Sequence, residues 1–247
     1  TVEGAFVSTC IRLGLFSDHR SAGFSAAGRT DRGVHARAQI FAFFTSYPSR
    51  ALAALNWQLP SDCWVTGYAR VDPAFNPRYD AKSRTYRYYF GTSALDGRAM
   101  DSAARLFIGT HDFSCFSRTS ERNPERTILS ARVWCEQGTC IFEVTGDSFL
   151  WNMVRLMAAS LRAVGAGEEG EEAILLRLEG ERPAPLSPAA PEGLILWDVD
   201  CGISFLPLPL GGRREAFLVR LREHHALLER VVRDLERTPK VSPDQGP

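Results

Sequence analysis

A single acid, Asp31, stands in the segment Ala27-Gly28-Arg29-Thr30-Asp31-Arg32-Gly33-Val34-His35-Ala36, with Arg29 two residues before it and Gly33 two residues after. An ionised carboxylate in such a place can attack an electrophilic carbon or remove a proton. Its neighbours Arg29, Thr30 and Arg32 are costly to bury unpaired, so the stretch faces water or lines a polar cleft. The run Gly23-Phe24-Ser25-Ala26-Ala27 before it and Gln39-Ile40-Phe41-Ala42-Phe43-Phe44 after it read as strand, polar turn, strand, with Asp31 at the tip. For an isolated Arg-x-Asp, a solvated turn is the plain alternative.

A second cluster interleaves Arg78, Lys82, Arg84 and Arg87 with Tyr79, Tyr86, Tyr88 and Tyr89. Basic and aromatic side chains alternating in this way suit a surface that follows a phosphate backbone and stacks bases. An ordinary strand with one polar face has the same pattern. Of the 29 basic residues only Lys82 and Lys240 are lysine, and arginine brings planar, forked donors suited to phosphate and bases. The formal net charge of zero does not by itself announce a nucleic-acid binder.

The Asp31 string resembles the active-site loop of the tRNA pseudouridine synthases of the TruA type, Gly-Arg-Thr-Asp-x-Gly-Val-His-Ala. Four more blocks match that family in order. Phe75-Asn76-Pro77-Arg78-Tyr79-Asp80-Ala81-Lys82-Ser83-Arg84-Thr85-Tyr86-Arg87-Tyr88 is similar to its Phe-x-x-Arg-x-x-Ala-x-x-Arg-x-Tyr-x-Tyr segment, and Gly109-Thr110-His111-Asp112-Phe113-Ser114-x-Phe116 to a Gly-x-His-Asp-Phe turn. Phe149-Leu150-x-x-Met153-Val154-Arg155 and Pro191-x-Gly193-Leu194 complete the set. Arg32 and details of the third and fifth blocks look more like archaeal members. Thr1-Val2-Glu3-Gly4 resembles the start of the family's first helix, so the strand that precedes it in the family, with its Tyr-x-Gly-x-x-Phe-x-Gly-x-Gln motif, is expected to be missing and the chain N-terminally incomplete.

The resemblance implies a reaction and a set of roles. Uridine becomes pseudouridine in the anticodon arm of tRNA, at positions 38–40: the N1–C1′ bond breaks, the uracil turns, and C5 joins C1′. Nothing is oxidised and nothing enters or leaves, so no cofactor and no metal are expected. Asp31 is the implied catalytic acid and Arg155 the arginine paired with it, a guanidinium favouring the charged carboxylate. Tyr86 is the tyrosine that stacks on the uracil and assists loss of the C5 proton. The target base must leave its stack, and Arg29 corresponds to the arginine that fills the gap. Thr30, Arg78 and Arg84 are further substrate contacts, and Leu194 walls the pocket. Attack at C1′, attack at C6 and abstraction of the ribose C2′ proton all stay open. Family members act as homodimers, so a dimer sharing one tRNA is expected. The alternatives are a non-catalytic RNA-binding module, inactive for want of the first strand, and a base-excising glycosidase using the same carboxylate.

These residues need a frame. With 247 residues, 45% of them hydrophobic, the chain can bury a sizeable core. No apolar run approaches the roughly 20 residues that cross a bilayer, and no signal peptide opens the chain. The six cysteines, Cys10, Cys63, Cys115, Cys135, Cys140 and Cys201, lack paired metal-ligand spacing and read as reduced thiols in a cytoplasmic protein. His35 reads as a loop residue, His111-Asp112-Phe113 as a helix-terminating turn, and His224-His225 lacks a ligand partner.

Periodicity predicts helices near 2–13, 49–58 (capped by Ser49), 98–108, 149–165, 169–179 and 213–237. Strands are expected near 22–28, 38–45, 63–71, 83–90 and 194–199, with a hairpin of 128–136 and 139–145 turning at Gln137-Gly138. The prolines in 183–191 make that stretch a loop, and 238–247 reads as disordered. The last helix packs on its own chain or on a second subunit, with the first preferred. The class is α+β. The resemblance sharpens it to two similar halves whose antiparallel sheets join into one, with helices on one side and a central active-site cleft. Residues 1–95 form the half with the Asp31 loop, 96–212 the half that completes the cleft, and 213–247 the terminal helix and tail.

Overall fold

The computed structural model describes residues 1–91, 94–118, 122–181 and 186–236. The first part of the chain forms helix α1 (Val2–Arg12), strands β1 (Ser25–Ala26), β2 (His35–Ala36) and β3 (Phe41–Ala42), helix α2 (Pro48–Gln58), strand β4 (Gly67–Tyr68), helix α3 (Pro77–Asp80) and strand β5 (Ser83–Tyr89). Helix α4 (Gly97–Arg105) leads to strands β6 (Gly109–Asp112), β7 (Glu125–Glu136) and β8 (Thr139–Gly146). Helices α5 (Met153–Gly165) and α6 (Glu172–Leu178), strands β9 (Leu194–Asp200) and β10 (Leu206–Pro207) and helix α7 (Gly211–Leu235) follow. The fold is α+β with a mixed sheet.

Two compact units are present: Gly23–Phe44 with Val71–Ser204, and Thr1–Ala22 with Thr45–Arg70 and the described part of Phe205–Pro247. The first unit holds a six-stranded sheet in the order β2-β9-β5-β8-β7-β6. All of its pairings are antiparallel except the short parallel contact of β2 with β9, where His35 lies against Ile195. Strands β1 and β3 form a separate antiparallel pair. Strand β5 alternates its side chains, as a pleat must. Tyr86 and Tyr88 turn toward the core, where Met100 of α4, Met153 and Met157 of α5, Phe107, Phe113, Phe116 and Phe142 are all fully buried.

In the other unit Thr1 caps α1 by accepting from the Gly4 N–H, and Phe6, Thr9 and Cys10 are buried. Burial pushes the Cys10 thiol up to about 12, so it stays protonated and inert. The first turns of α7 dock within this unit, with Arg213 donating to the carbonyls of Asn56 and Trp57 and the Phe217 ring beside Trp64. Farther along, Leu221, Leu228, Val231, Val232 and Leu235 are exposed.

Several expectations need correction. Helix α2 opens with Pro48 in its first turn and no side-chain cap, so Ser49 lies inside the helix. The cap of α4 is Asp96, which accepts from the Arg98 and Ala99 N–H groups. Helix α5 starts at Met153 rather than 149 because Asn152 adopts a left-handed backbone, φ 63°, which a helix cannot continue. His111 belongs to strand β6, not to a helix-terminating turn; α4 has ended by then at Arg105. The hairpin turns at Gln137-Gly138 as expected, both with positive φ. That register sets Cys135 opposite Cys140, Cα atoms 4.0 Å apart, and the two form a disulfide rather than free thiols. Scattered spacing hid this, because cross-strand neighbours at a hairpin tip are five positions apart in the chain. The expected loop 183–191 lies partly outside the described residues, and 238–247 wholly so.

Candidate active site

The Asp31 loop is held from both sides. Before it, the Ala27 N–H donates to the Ile40 carbonyl, and the Gln39 side-chain amide donates to the Gly28 carbonyl at 2.8 Å. After it, β2 pairs with β9 and the Arg37 N–H reaches the Leu196 carbonyl. The tip closes as a turn, the Val34 N–H donating to the Asp31 carbonyl at 3.1 Å. Gly33 has φ +90°, and a Cβ there would stand 2.9 Å from Pro191 Cγ. Only glycine meets both demands without strain. Two sequence blocks far apart in the chain, the Asp31 loop and Pro191-x-Gly193-Leu194, thus touch.

At the tip Asp31 meets Arg155, 124 residues away, with Nη1 3.3 Å from Oδ2. The side chains are 29% and 16% exposed, so the pair is partly withdrawn from water yet still accessible. Arg155 is oriented by two further acceptors: its Nε donates to the Ala189 carbonyl at 2.7 Å and Nη1 to Asn152 Oδ1 at 2.9 Å. The other carboxylate oxygen, Oδ1, accepts from the Trp151 indole N–H at 3.0 Å. Sequence reading missed Trp151 and Asn152. They occupy the two unspecified positions between Phe149-Leu150 and Met153-Val154-Arg155, where the family pattern carries no signal.

Tyr86 is half-buried, its ring set edge-on against Phe149 with centroids 5.1 Å apart. Burial pushes its phenol up to about 12; the charge of Arg84 works against that rise and the charge of Asp31 adds to it. Tyr86 and Asp31 are therefore electrostatic neighbours. Burial also raises the Tyr88 phenol, with Arg155 opposing and Glu192 assisting. Leu194 is 5% exposed, opposite Tyr88 at the start of β9 and inside the core cluster.

Arg84 has its donors spent inside the protein. Nη1 reaches the carbonyls of Ala81 and Asp147, and Nη2 those of Ala27 and Arg78, at 2.7 to 3.1 Å. It ties the strand preceding the Asp31 loop to β5. Arg29 is exposed, with no hydrogen bond or ion pair on its guanidinium among the described residues. Thr30 is half-buried beside it. Arg78 is exposed at the start of α3, its guanidinium 6.0 Å from the exposed Tyr79 ring.

The interleaved basic and aromatic cluster is thus divided by the pleat instead of forming one strip. Arg87, on the face opposite Tyr86 and Tyr88, lies 3.6 Å over Trp197 and donates to Glu143 at 2.6 Å. Among the described residues no group of three His, Cys, Asp or Glu is placed to hold a metal, and no helix is long and apolar enough to cross a membrane. What the arrangement offers is an oriented carboxylate, a guanidinium against it, a protonated phenol nearby and an exposed arginine on the same loop.

Comparison with known proteins places the chain in a family. A family model described as tRNA pseudouridine synthase (PseudoU_synth_1) matches residues 103–200. The tRNA pseudouridine synthase A of Methanoculleus marisnigri is 51% identical over 231 residues, 94% of this chain and 85% of that protein. The protein of the same name from Methanosphaerula palustris is 49% identical over 96% of this chain and 85% of its own length. The one from Thermococcus onnurineus is 44% identical over 83% and 78%.

Proposed function

This chain belongs to the tRNA pseudouridine synthase A family, an isomerase family, and from that premise we propose that it converts uridine to pseudouridine in the anticodon stem-loop of tRNA, at positions 38–40. The observation that carries the reading is the Asp31–Arg155 pair, 3.3 Å apart, with its carboxylate still partly accessible. Asp31 attacks the sugar or the uracil ring, or takes the C2′ proton; the N1–C1′ bond breaks, C5 bonds to C1′, and the C5 proton is lost as N1 gains one. The sum is an isomerisation, and no cofactor is required.

Arg155 holds the carboxylate, and Arg29, exposed and uncommitted, fills the stack that the flipped uridine leaves. Tyr86 offers the uracil a ring face and an O–H. A phenol pushed up to about 12 remains protonated near neutral pH, so stacking and donation are its part ahead of proton removal. Thr30 and Arg78 contact the RNA, Leu194 closes the apolar floor, and Arg84 serves the substrate through the loop it ties down. We retain the functional division into 1–95, 96–212 and 213–247, with two similar halves around a central cleft. Two copies share one tRNA in a cytoplasmic setting, and the exposed leucines and valines of α7 support a partner surface.

The test is incubation with unmodified tRNA and mapping of modified uridines. Pseudouridine in the anticodon arm that disappears in Asp31→Asn, with tRNA binding kept, supports the proposal. Product persisting in that variant removes Asp31 from the reaction. Binding without product favours a non-catalytic RNA-binding module, and abasic sites a glycosidase.

A further inference from the structure

We propose that Trp151 is a positioning residue for Asp31, its indole N–H holding one carboxylate oxygen while Arg155 holds the other. The inference rests on the reading of Asp31 as the reacting acid.

A carboxylate held at one oxygen still turns about its Cβ–Cγ bond, whereas one held at both oxygens by donors in different directions does not. Trp151 Nε1 lies 3.0 Å from Oδ1 and Arg155 Nη1 3.3 Å from Oδ2. Both donors come from the single stretch 151–155, whose shape is set by Asn152. Its left-handed backbone, φ 63°, separates the turn that presents Trp151 from the helix that presents Arg155. Its side chain accepts from the same Arg155 nitrogen that meets Asp31. The flanking Leu150 and Met153 are 4% and 0% exposed and anchor the stretch in the core.

Trp151 itself is 51% exposed. An indole placed for packing would be buried as its neighbours are, since its large ring is its main contribution to a core. Here about half the residue faces solvent while the one polar atom of its side chain, a donor only, is directed at the carboxylate. Among the described residues, the polar partner of the Trp151 side chain is therefore Asp31, met through the indole N–H.

Trp151→Phe keeps a ring and deletes the donor. A hydrogen bond to a charged group lost from an orienting contact corresponds to a fall in kcat of about 10- to 100-fold. The KM for tRNA and the melting temperature should stay within about twofold and a few degrees of the parent. Trp151→His, which retains a ring N–H, should recover part of the loss. The indole N–H resonance that vanishes in Trp151→Phe should also shift in Asp31→Asn, while the resonances of the other tryptophans stay in place.

Parental kcat in Trp151→Phe overturns the inference. So does a loss shared by kcat, KM and melting temperature, which would mark a packing role, and so does an indole resonance indifferent to Asp31→Asn. Asp31→Asn assayed beside them separates the two failures. If that variant still makes pseudouridine, the reading of Asp31 itself has failed; if it is inactive while Trp151→Phe is not, only the role of Trp151 has.

Discussion

Arg155→Met keeps the apolar stem of the side chain and removes the guanidinium. At 3.3 Å the bare attraction between the two charges is about 1.3 kcal/mol in water and about 5 kcal/mol at an effective dielectric near 20. With the partners 29% and 16% exposed, the site lies between those limits, and about 2–3 kcal/mol is a fair value after screening. Expressed in the transition state, this is about 30- to 150-fold in kcat. The substitution also leaves the Ala189 carbonyl and Asn152 Oδ1 without their donor, which costs about 1–3 kcal/mol of stability. Single-turnover pseudouridine formation with saturating enzyme separates the chemical loss from weaker binding, and a melting curve reads the structural cost. Arg155→Lys, which keeps the charge but not the fork that serves three acceptors, should fall between parent and Met variant. If Arg155→Met reacts within about threefold of the parent, the pair does not contribute to turnover and the electrostatic reasoning is refuted.

Other outcomes follow from the same structure. Gly33→Ala places a methyl 2.9 Å from Pro191 Cγ on a backbone with φ +90°, so the melting temperature and kcat should both drop; an unchanged melting curve would mean that the loop yields freely. Thiol titration of the denatured, unreduced protein should give four thiols, from Cys10, Cys63, Cys115 and Cys201, and six after reduction; six without reduction would contradict the disulfide. Burial opposes ionisation of Asp101 and Glu143, yet the Val133 N–H with Arg105 on the one, and Arg87 with Arg132 on the other, outweigh it and hold both carboxyls below their usual range. Hydrogen bonds from the buried Arg177 do the same for Glu169. Depressed folded-state values contribute stability that is complete above the unfolded carboxylate range and lost as pH falls through the folded one. Urea midpoints should therefore be flat from about pH 5.5 to 7 and decline below about pH 4.5; a flat profile to pH 3 would refute it. Removing Arg29 should reduce turnover more than tRNA affinity, and equal losses would count against its role in base flipping.

The sequence announced the Asp31 loop because its chemistry is local: acid, arginines and glycine are consecutive, and the turn they form needs few partners. Strand β5, the hairpin and helix α5 were legible for a related reason, since their apolar periods run long enough to stand above noise. What was hidden depends on partners far away in the chain. Strand β2 is two residues long and exists only because β9 lies alongside it. The break before α5 comes from Asn152, a residue type compatible with a helix by composition. The Cys135–Cys140 pairing depends on hairpin register, which spacing alone does not give. Arg84 read as an RNA contact from the family block and its place among alternating basic and aromatic residues; its four carbonyl acceptors come from separate segments that no local pattern connects.

That last case bears on how the site is built. The oxygens of Asp31 are engaged by Trp151 and Arg155, but their location in space depends on Arg84 at the Ala27 carbonyl, on Gly33 against Pro191, and on β2 along β9. These restraints join the loop to Arg84 and to the stretch from Pro191 through β9, both far from it in the chain. A carboxylate fixed this way has little freedom to reorganise when substrate enters, the condition under which oriented charge is most effective in a transition state. Arg29 and Arg32 are both exposed on the same loop. On the function proposed above, an exposed arginine beside a carboxylate held at both oxygens is the division that base flipping calls for, the arginine to enter the vacated stack and the carboxylate to meet the extruded nucleotide.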